Sequence, residues 1–405
     1  MDGQFGAQVY EQSRQLLQQG KDVNQIAKIL CDRDPAGHNY GIGIVLDGQG
    51  KAAATSPTLL EYFSAEIKNS QDGNYMNSAA IMEQVKIAVL KWQRIPEQYW
   101  GQFLLALPSD AGTGAVKTAV EIALLMNPQA RVLGLEELGW PAYKAIAKVS
   151  RLAVKEFPMD SVIEGEDFLP IYQAGPMNTT GYVQNQETVL ARANAAAATN
   201  TLLILDRAYS GFEFARLTRT DSYDTIMRKS YERQVQPFIE QGVTFAMAIS
   251  PTKAFITFAL RPCGFLLLYN PDATRHQEMN NALNLAVRAR GSSFEHAITR
   301  AFAKALVNDL GRLEEEHHKA LTRLADAETI WSKLAQGTPI EQYYTEHYAG
   351  LFRNLKTREG GEIAIYNEHI YPVLDSGRCR QNITGIPDDE ALARKHVQVF
   401  AEQCY

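Results

Sequence analysis

The chain has 405 residues, with 45% hydrophobic and 21% charged side chains, and 40 Lys+Arg against 46 Asp+Glu leave a formal charge of −6. That mixture suits two or three domains with a large buried core, and it excludes disorder and collagen-like structure. A mildly acidic chain without a basic run has no electrostatic reason to bind nucleic acid or an anionic membrane.

In chain order, residues 5–32 read as one or two short helices, followed by the turn Asp34-Pro35-Ala36-Gly37. Residues 39–46 read as a short strand closed by the turn Asp47-Gly48-Gln49-Gly50. Helical periodicity covers 56–69 and 78–92. Short apolar runs then alternate with amphipathic stretches. The runs are 103–107, 131–135, 168–173, 201–205, 243–249 and 264–268, and helices are expected over 114–126, 141–149 and 185–198. Such alternation predicts βα units and a mainly parallel sheet covered on both faces. From 274 to 336 the period is helical, with one long helix near 294–335, and residues 363–366 with a helix over 388–402 complete a small α+β region.

The polar N-terminus, residues 1–19, is unlike a signal peptide. The most apolar stretch, 243–269, holds Pro251, Lys253, Arg261 and Pro262, which is wrong for a membrane span. Cys31, Cys263, Cys379 and Cys404 are scattered, so free thiols in a reducing compartment are expected rather than disulfides or a zinc site.

Open α/β sheets build their sites at the carboxyl ends of strands. Lys253 lies just beyond 243–249, Asp206 ends 201–205, Asn178 follows 168–173, and Gly112-Thr113-Gly114 opens a helix whose N–H groups can meet an anion. A lysine among apolar residues has a depressed pKa and can serve as a Schiff-base amine. Pyridoxal phosphate needs such a lysine, a carboxylate for its ring nitrogen and a phosphate cradle. Taken singly, each of these residues reads first as an ordinary strand-end polar group; their joint order raises the sharper reading.

These landmarks, in this order, resemble the class I aminotransferases of the aspartate/aromatic amino-acid family, pyridoxal-phosphate enzymes of fold type I. The stretch from Asn39 through Gly43 resembles the family's N-terminal strand whose glycine touches substrate, and Gly73-Asn74-Tyr75 its tyrosine that reaches the neighbouring subunit's cofactor phosphate. Gly112-Thr113-Gly114-Ala115 resembles the phosphate turn, and Trp140-Pro141 the tryptophan stacked on the pyridine ring. Asn178-Thr179-Thr180-Gly181 resembles Asn-Pro-Thr-Gly, whose asparagine bonds the phenolic oxygen, while Asp206 and Tyr209 match the pyridinium partner and second phenolic-oxygen donor. Ser250-Pro251-Thr252-Lys253 resembles the Schiff-base box, and Arg261 the phosphate-binding arginine. Arg380-Gln381-Asn382-Ile383-Thr384-Gly385 resembles Arg-x-Asn-x-x-Gly, whose arginine grips the substrate α-carboxylate; Arg378 offers a rival alignment. Arg288 matches the arginine that reaches across the dimer to a dicarboxylate side chain, although Ser292-Ser293-Phe294-Glu295 replaces the usual sequence after it.

The resemblance implies a mainly parallel seven-stranded sheet flanked by helices, with a small α+β domain built from both chain ends. Its expected divisions are 1–54 (arm and part of the small domain), 55–300 (large, cofactor-binding) and 301–405 (small). It also implies a cytoplasmic homodimer with shared active sites, no metal, and transamination between an L-amino acid (aspartate, glutamate or aromatic) and a 2-oxo acid such as 2-oxoglutarate. Lys253 would act as Schiff base and proton carrier, with Asp206 and Tyr209 as its catalytic partners. Gly112, Thr113, Ser250, Arg261 and a neighbour's Tyr75 would hold the phosphate. Departures concern Ala111, Thr179, a segment around 217–235, and Tyr143, Gln173 and Met177, which stand where the family often places histidines. They leave open another reaction on the same fold, such as a lyase, decarboxylase or oxidase, or a non-catalytic binding protein. Rival motifs are poorer. Gly112 to Thr118 lacks two P-loop glycines, Glu314 to Lys319 reads as a solvated helix face rather than a metal cluster, and no G-x-S-x-G elbow is present.

Overall fold

Two pentapeptides explain the centre of the molecule. Phe245–Ile249 and Phe265–Tyr269 are buried at every position, so their unbroken apolar runs can only be strands covered on both faces. The computed structural model describes residues 3–70, 73–199, 202–292 and 294–405. Thr201, where a strand is expected to begin, and Ser293 lie outside the described residues. The chain forms two units, one of Ala54–Gly175 with Gln184–Ala320, the other of Met1–Ala53, Pro176–Val183 and Leu321–Tyr405.

The larger unit holds β1 (Phe103–Ala106), β2 (Val132–Glu136), β3 (Ala153–Phe157), β4 (Phe168–Gln173), β5 (Leu203–Arg207), β6 (Phe245–Ile249) and β7 (Phe265–Tyr269). They form one sheet in the order β1-β7-β6-β5-β4-β2-β3. Only β7 runs antiparallel to its neighbours, so the sheet is mainly parallel. Alternate residues of β6 serve opposite cores. Phe245, Met247 and Ile249 pack with Trp92 and Phe302, while Ala246 and Ala248 pack with Ala115 and Ala119 of the helix Ala111–Met126. The two alanines let that helix approach the sheet closely, which places its N-terminus beside the end of β6.

Several expectations change here. β3 is absent from the expected runs because it is an exposed edge strand whose short apolar pattern is broken by Lys155 and Glu156. β5 extends to Arg207, so Asp206 lies inside the strand rather than beyond it. The 217–235 segment folds onto the unit as a 3-10 turn, Phe212–Arg219, and the helix Tyr223–Gln234, which buries Ile226, Met227, Ser230, Tyr231 and Gln234 on one face. The long helix runs Ala297–Ala335, with non-helical backbone at Asp309. No helix among the described residues is long and apolar enough to cross a membrane.

In the smaller unit the helices Gly3–Gln18, Val23–Arg33, Gly361–Asn367 and Glu390–Gln403 accompany β8 (Phe352–Lys356), β9 (Val373–Asp375) and β10 (Arg378–Asn382), antiparallel in the order β9-β10-β8. Residues 363–366 therefore belong to a helix. The strand expected over 39–46 shrinks to His38–Asn39, paired with Ile370–Tyr371. Side chains satisfy the backbone that follows. Asn39 Oδ1 accepts from the N–H groups of Gly41 (3.0 Å) and Ile42 (3.1 Å), and Asn382 Nδ2 donates to the carbonyls of Ile42 (2.7 Å) and Ile44 (2.6 Å).

The run from Glu314 to Lys319 is not a uniformly solvated face, because His317 is fully buried among Trp92, Phe212, Tyr223 and Phe255. Its Nδ1 lies 2.8 Å from Tyr223 Oη and faces the Trp92 indole N–H at 3.4 Å, which makes it an acceptor and the ring neutral. Burial pushes His317 down to about 3, and His396 of the smaller unit likewise to about 3. Both values lie below that of an unfolded histidine, so the unfolded chain takes up protons first as pH falls. Stability is full above about pH 6.5 and decreases toward pH 3, by roughly 2 kcal/mol per histidine at pH 5. Denaturant unfolding at pH 7 and pH 5 should reveal this loss, and unchanged midpoints would contradict it.

Candidate active site

Lys253 sits on the short helix Pro251–Ala254 that follows β6 through Ser250. Proline at the first helical position fixes the turn, so the lysine leaves the sheet at its carboxyl end. Burial pushes its amine below the ordinary lysine range; the carboxylate of Asp206 opposes that shift and the Arg261 guanidinium reinforces it. Nζ lies 5.5 Å from the centroid of the Tyr209 ring. Asp206, on β5, is buried too, and burial raises its carboxyl. Two donors and the nearby Lys253 charge act the other way. Tyr143 Oη donates to Oδ2 at 2.5 Å, and the Ala208 N–H to Oδ1 at 3.0 Å. An amine with a lowered pKa thus shares a desolvated space with a carboxylate anchored at both oxygens.

Trp140 stands edge-on to Tyr143, with ring centroids 5.2 Å apart at 86°, so one aromatic pair links it to Asp206. Beside this group lies an anion cradle. Asp110 and Ala111 both take left-handed φ, 68° and 52°, and turn the chain into the helix Ala111–Met126, whose N-cap side chain makes no capping bond. A Cβ on Gly112 would sit 2.5 Å from Ser250 Cβ, so only glycine lets the helix end meet the Ser250 hydroxyl. Gly264 makes a similar approach. Its N–H donates to Pro108 O at 2.9 Å, and a Cβ there would lie 2.2 Å from Ala111 O. Arg261, at φ 38°, donates from Nη2 to Asp110 O at 3.4 Å. Uncapped N–H groups at a helix start, a hydroxyl and a guanidinium together fit a phosphate. Left-handed φ also occurs at Leu138 (56°) and Ile256 (48°), and strain of this kind concentrates at functional loops.

The smaller unit carries the other candidates. Arg380, on β10, is buried with its guanidinium 4.4 Å from the Phe352 ring centroid. Its Nη2 donates to Asn24 Oδ1 (2.6 Å) and Gly41 O (2.9 Å), which orients the fork. Arg378 is less buried and reaches only Asn354 O, at 3.5 Å. Gly43 lies under Phe352, where an added Cβ would stand 3.4 Å from Cζ. Gly385 is required because a Cβ would fall 2.6 Å from Asn39 O. Asn178 is in the turn closed by the Gly181 N–H to Met177 O bond (2.7 Å), and Thr179 Oγ1 accepts from Asn354 Nδ2 at 2.9 Å.

Thus Lys253, Asp206, Tyr209 and Trp140 form one cluster, with Gly112, Ser250 and Arg261 in the adjoining cradle. Thr113 is exposed on the same helix turn. Two candidates of the larger unit stand apart from this cluster among the described contacts. Tyr75 is 82% exposed and stacks on Phe294 at 4.4 Å, and Arg288 is exposed on the last turn of the helix Ala273–Gly291. Tyr143, by sequence only a departure from the family pattern, is the anchor of Asp206; its buried partner 63 residues away gives no local signal. Asn24 and Phe352 carry no motif at all.

The chain matches the family model for aminotransferase class I and II over residues 109–340. Its fold is similar to that of an aromatic-amino-acid aminotransferase from Burkholderia pseudomallei, described as covalently bound to pyridoxal phosphate, with TM-score 0.77 and 17% identity over 94% of this chain and 96% of that one. It is also similar to a broad-specificity aminotransferase from Leishmania mexicana (TM-score 0.76, 17% identity, 94% and 95% covered). A third similar structure is an aspartate aminotransferase of Plasmodium falciparum (TM-score 0.74, 16% identity, 94% and 97% covered). No curated protein matches it in sequence.

Proposed function

Since the chain belongs to the class I and II aminotransferase family, we propose that it transfers an amino group between an L-amino acid and a 2-oxo acid, with pyridoxal 5'-phosphate on Lys253. The observation that carries this reading is the desolvated Lys253 amine facing the doubly anchored Asp206 beside a phosphate cradle. When bound, pyridoxal phosphate supplies a ring that accepts the electron pair left when the substrate Cα–H bond breaks. Lys253 Nζ, whose burial favours the neutral amine, would take that proton and return it one carbon away. The Asp206 carboxylate would hold the proton on the ring nitrogen, and Trp140 would cover the ring. Tyr209 and Asn178 donate to the phenolic oxygen. Gly112, Thr113, Ser250 and Arg261 hold the phosphate, while Arg380 binds the α-carboxylate and Gly43 leaves room for substrate.

The same reading favours aspartate, glutamate or aromatic donors with 2-oxoglutarate as an acceptor, because Arg288 suits a dicarboxylate side chain. A homodimer with shared active sites accounts for Tyr75 and Arg288, whose exposure leaves both available to a second copy. Four free cysteines agree with a cytoplasmic location. Adding amino acids singly to the holoenzyme should bleach its visible band and release the matching 2-oxo acid. Release of ammonia or carbon dioxide instead would mean a different reaction on this fold. Light scattering should give a dimer, and a fully active monomer would contradict the shared site.

A further inference from the structure

Asn354 lies on β8 directly opposite Arg380 of β10. Residues paired this way across antiparallel strands share a face, with Cβ atoms about 5 Å apart. The Arg380 guanidinium stacked on Phe352, two residues before Asn354, marks that face as the one on which Arg380 lies. The Asn354 side chain is buried, 8% exposed, and only half of its amide is used. Nδ2 bonds Thr179 Oγ1 at 2.9 Å, while Oδ1 is shut from solvent with no hydrogen-bond partner.

A buried asparagine that serves the fold alone uses both ends. Asn382, on the same strand as Arg380, does so: its Nδ2 takes two carbonyls, and its Oδ1 accepts from the Thr384 N–H (3.0 Å) and hydroxyl (2.8 Å). A half-satisfied buried amide is costly, and a ligand can complete it. We propose that Asn354 is a substrate-contacting residue whose amide bonds the α-carboxylate beside Arg380, with Thr179 as the positioning residue that fixes the amide. A hydroxyl both donates and accepts. With the amide turned over, the Thr179 hydroxyl donates to Oδ1 and the two Nδ2 protons face the anion that Arg380 attracts. Thr179 stands where Asn-Pro-Thr-Gly has a proline, and a proline there could not hold the amide.

This inference rests on reading Arg380 as the carboxylate-binding group of the proposed transaminase, and its test separates the two. The probes are 3-phenylpropionate, an unreactive carboxylate, and 3-phenylpropanamide, its neutral counterpart, titrated into holoenzyme. Asn354→Asp should weaken the carboxylate at least about tenfold and the amide less than twofold, because a second carboxylate repels only the anion. Asn354→Ala should weaken the carboxylate about fivefold, Thr179→Val less. KM for amino acid and oxo acid should rise together while kcat and the visible band stay near wild type. Unchanged carboxylate affinity in both Asn354 variants would overturn the proposal, and so would equal losses for the two probes. A wild type that binds the carboxylate but transaminates nothing defeats the functional reading alone, and the Asn354 comparison still decides. A wild type that binds no carboxylate defeats both.

Discussion

Lys253→Ala is expected to take up no pyridoxal phosphate covalently, to lack the visible band of the wild-type protein, and to lose amino-group transfer by about 10⁴-fold or more. The proposed function gives one amine two roles, anchoring the cofactor and carrying the proton. Among the described residues the neighbouring cation is Arg261, whose guanidinium is not the primary amine that a Schiff base requires. Burial lowers the Lys253 pKa, so the amine is more readily available in its neutral, reactive form than an exposed lysine would be. The substitution shortens one side chain on the short helix Pro251–Ala254, so the fold should survive, and circular dichroism should match that of wild type. Borohydride reduction followed by peptide mapping gives the direct check, with the label on the peptide containing Lys253. Equal bands in wild type and Lys253→Ala, or a label elsewhere, would end the assignment.

What the chain reveals without a structure depends on how locally each feature is encoded. β6 and β7 are legible because burial on both faces demands continuous apolar runs, and Lys253 is legible because it breaks one. β3 is not, since an edge strand facing water needs no apolar residues. Residues 39–46 mimic a strand in composition, yet Asn39 and Asn382 satisfy their backbone from side chains, and Asn382 is more than 300 residues distant. The same applies within the site. Gly112 and Ser250 belong to motifs, but the reason for the glycine is a contact across 138 positions of sequence. Tyr143 shows no sign of its role because its meaning lies in Asp206, and Asn354 none because its partners are Thr179 and Arg380. His317, amid glutamates and a lysine, reads as part of a wet helix face until the aromatic residues around it are known.

Asp206→Asn should reduce amino-group transfer by about 10²- to 10³-fold while leaving Lys253 able to take up the cofactor. The substitution keeps shape and removes the charge that would hold a proton on the ring nitrogen. Both oxygens of Asp206 are occupied by donors, Tyr143 Oη at 2.5 Å and the Ala208 N–H at 3.0 Å, so the asparagine can accept from only one of them and must turn its amide nitrogen toward the other. Tyr143→Phe isolates one of those bonds. The phenol lowers the carboxyl pKa against the raising effect of burial, so its loss should move that pKa further up. Asp206 works only when ionised, and a raised pKa means protonation begins at higher pH as the solution is acidified. The acid limb of the kcat/KM profile should therefore shift to higher pH in Tyr143→Phe, with a loss of about tenfold at neutral pH, and should be absent as a separate feature in Asp206→Asn. Once the carboxylate is gone the phenol has nothing to tune, so the double variant should lose little more than Asp206→Asn alone. Additive losses, or an acid limb unmoved by Tyr143→Phe, would show that Tyr143 acts on something other than Asp206.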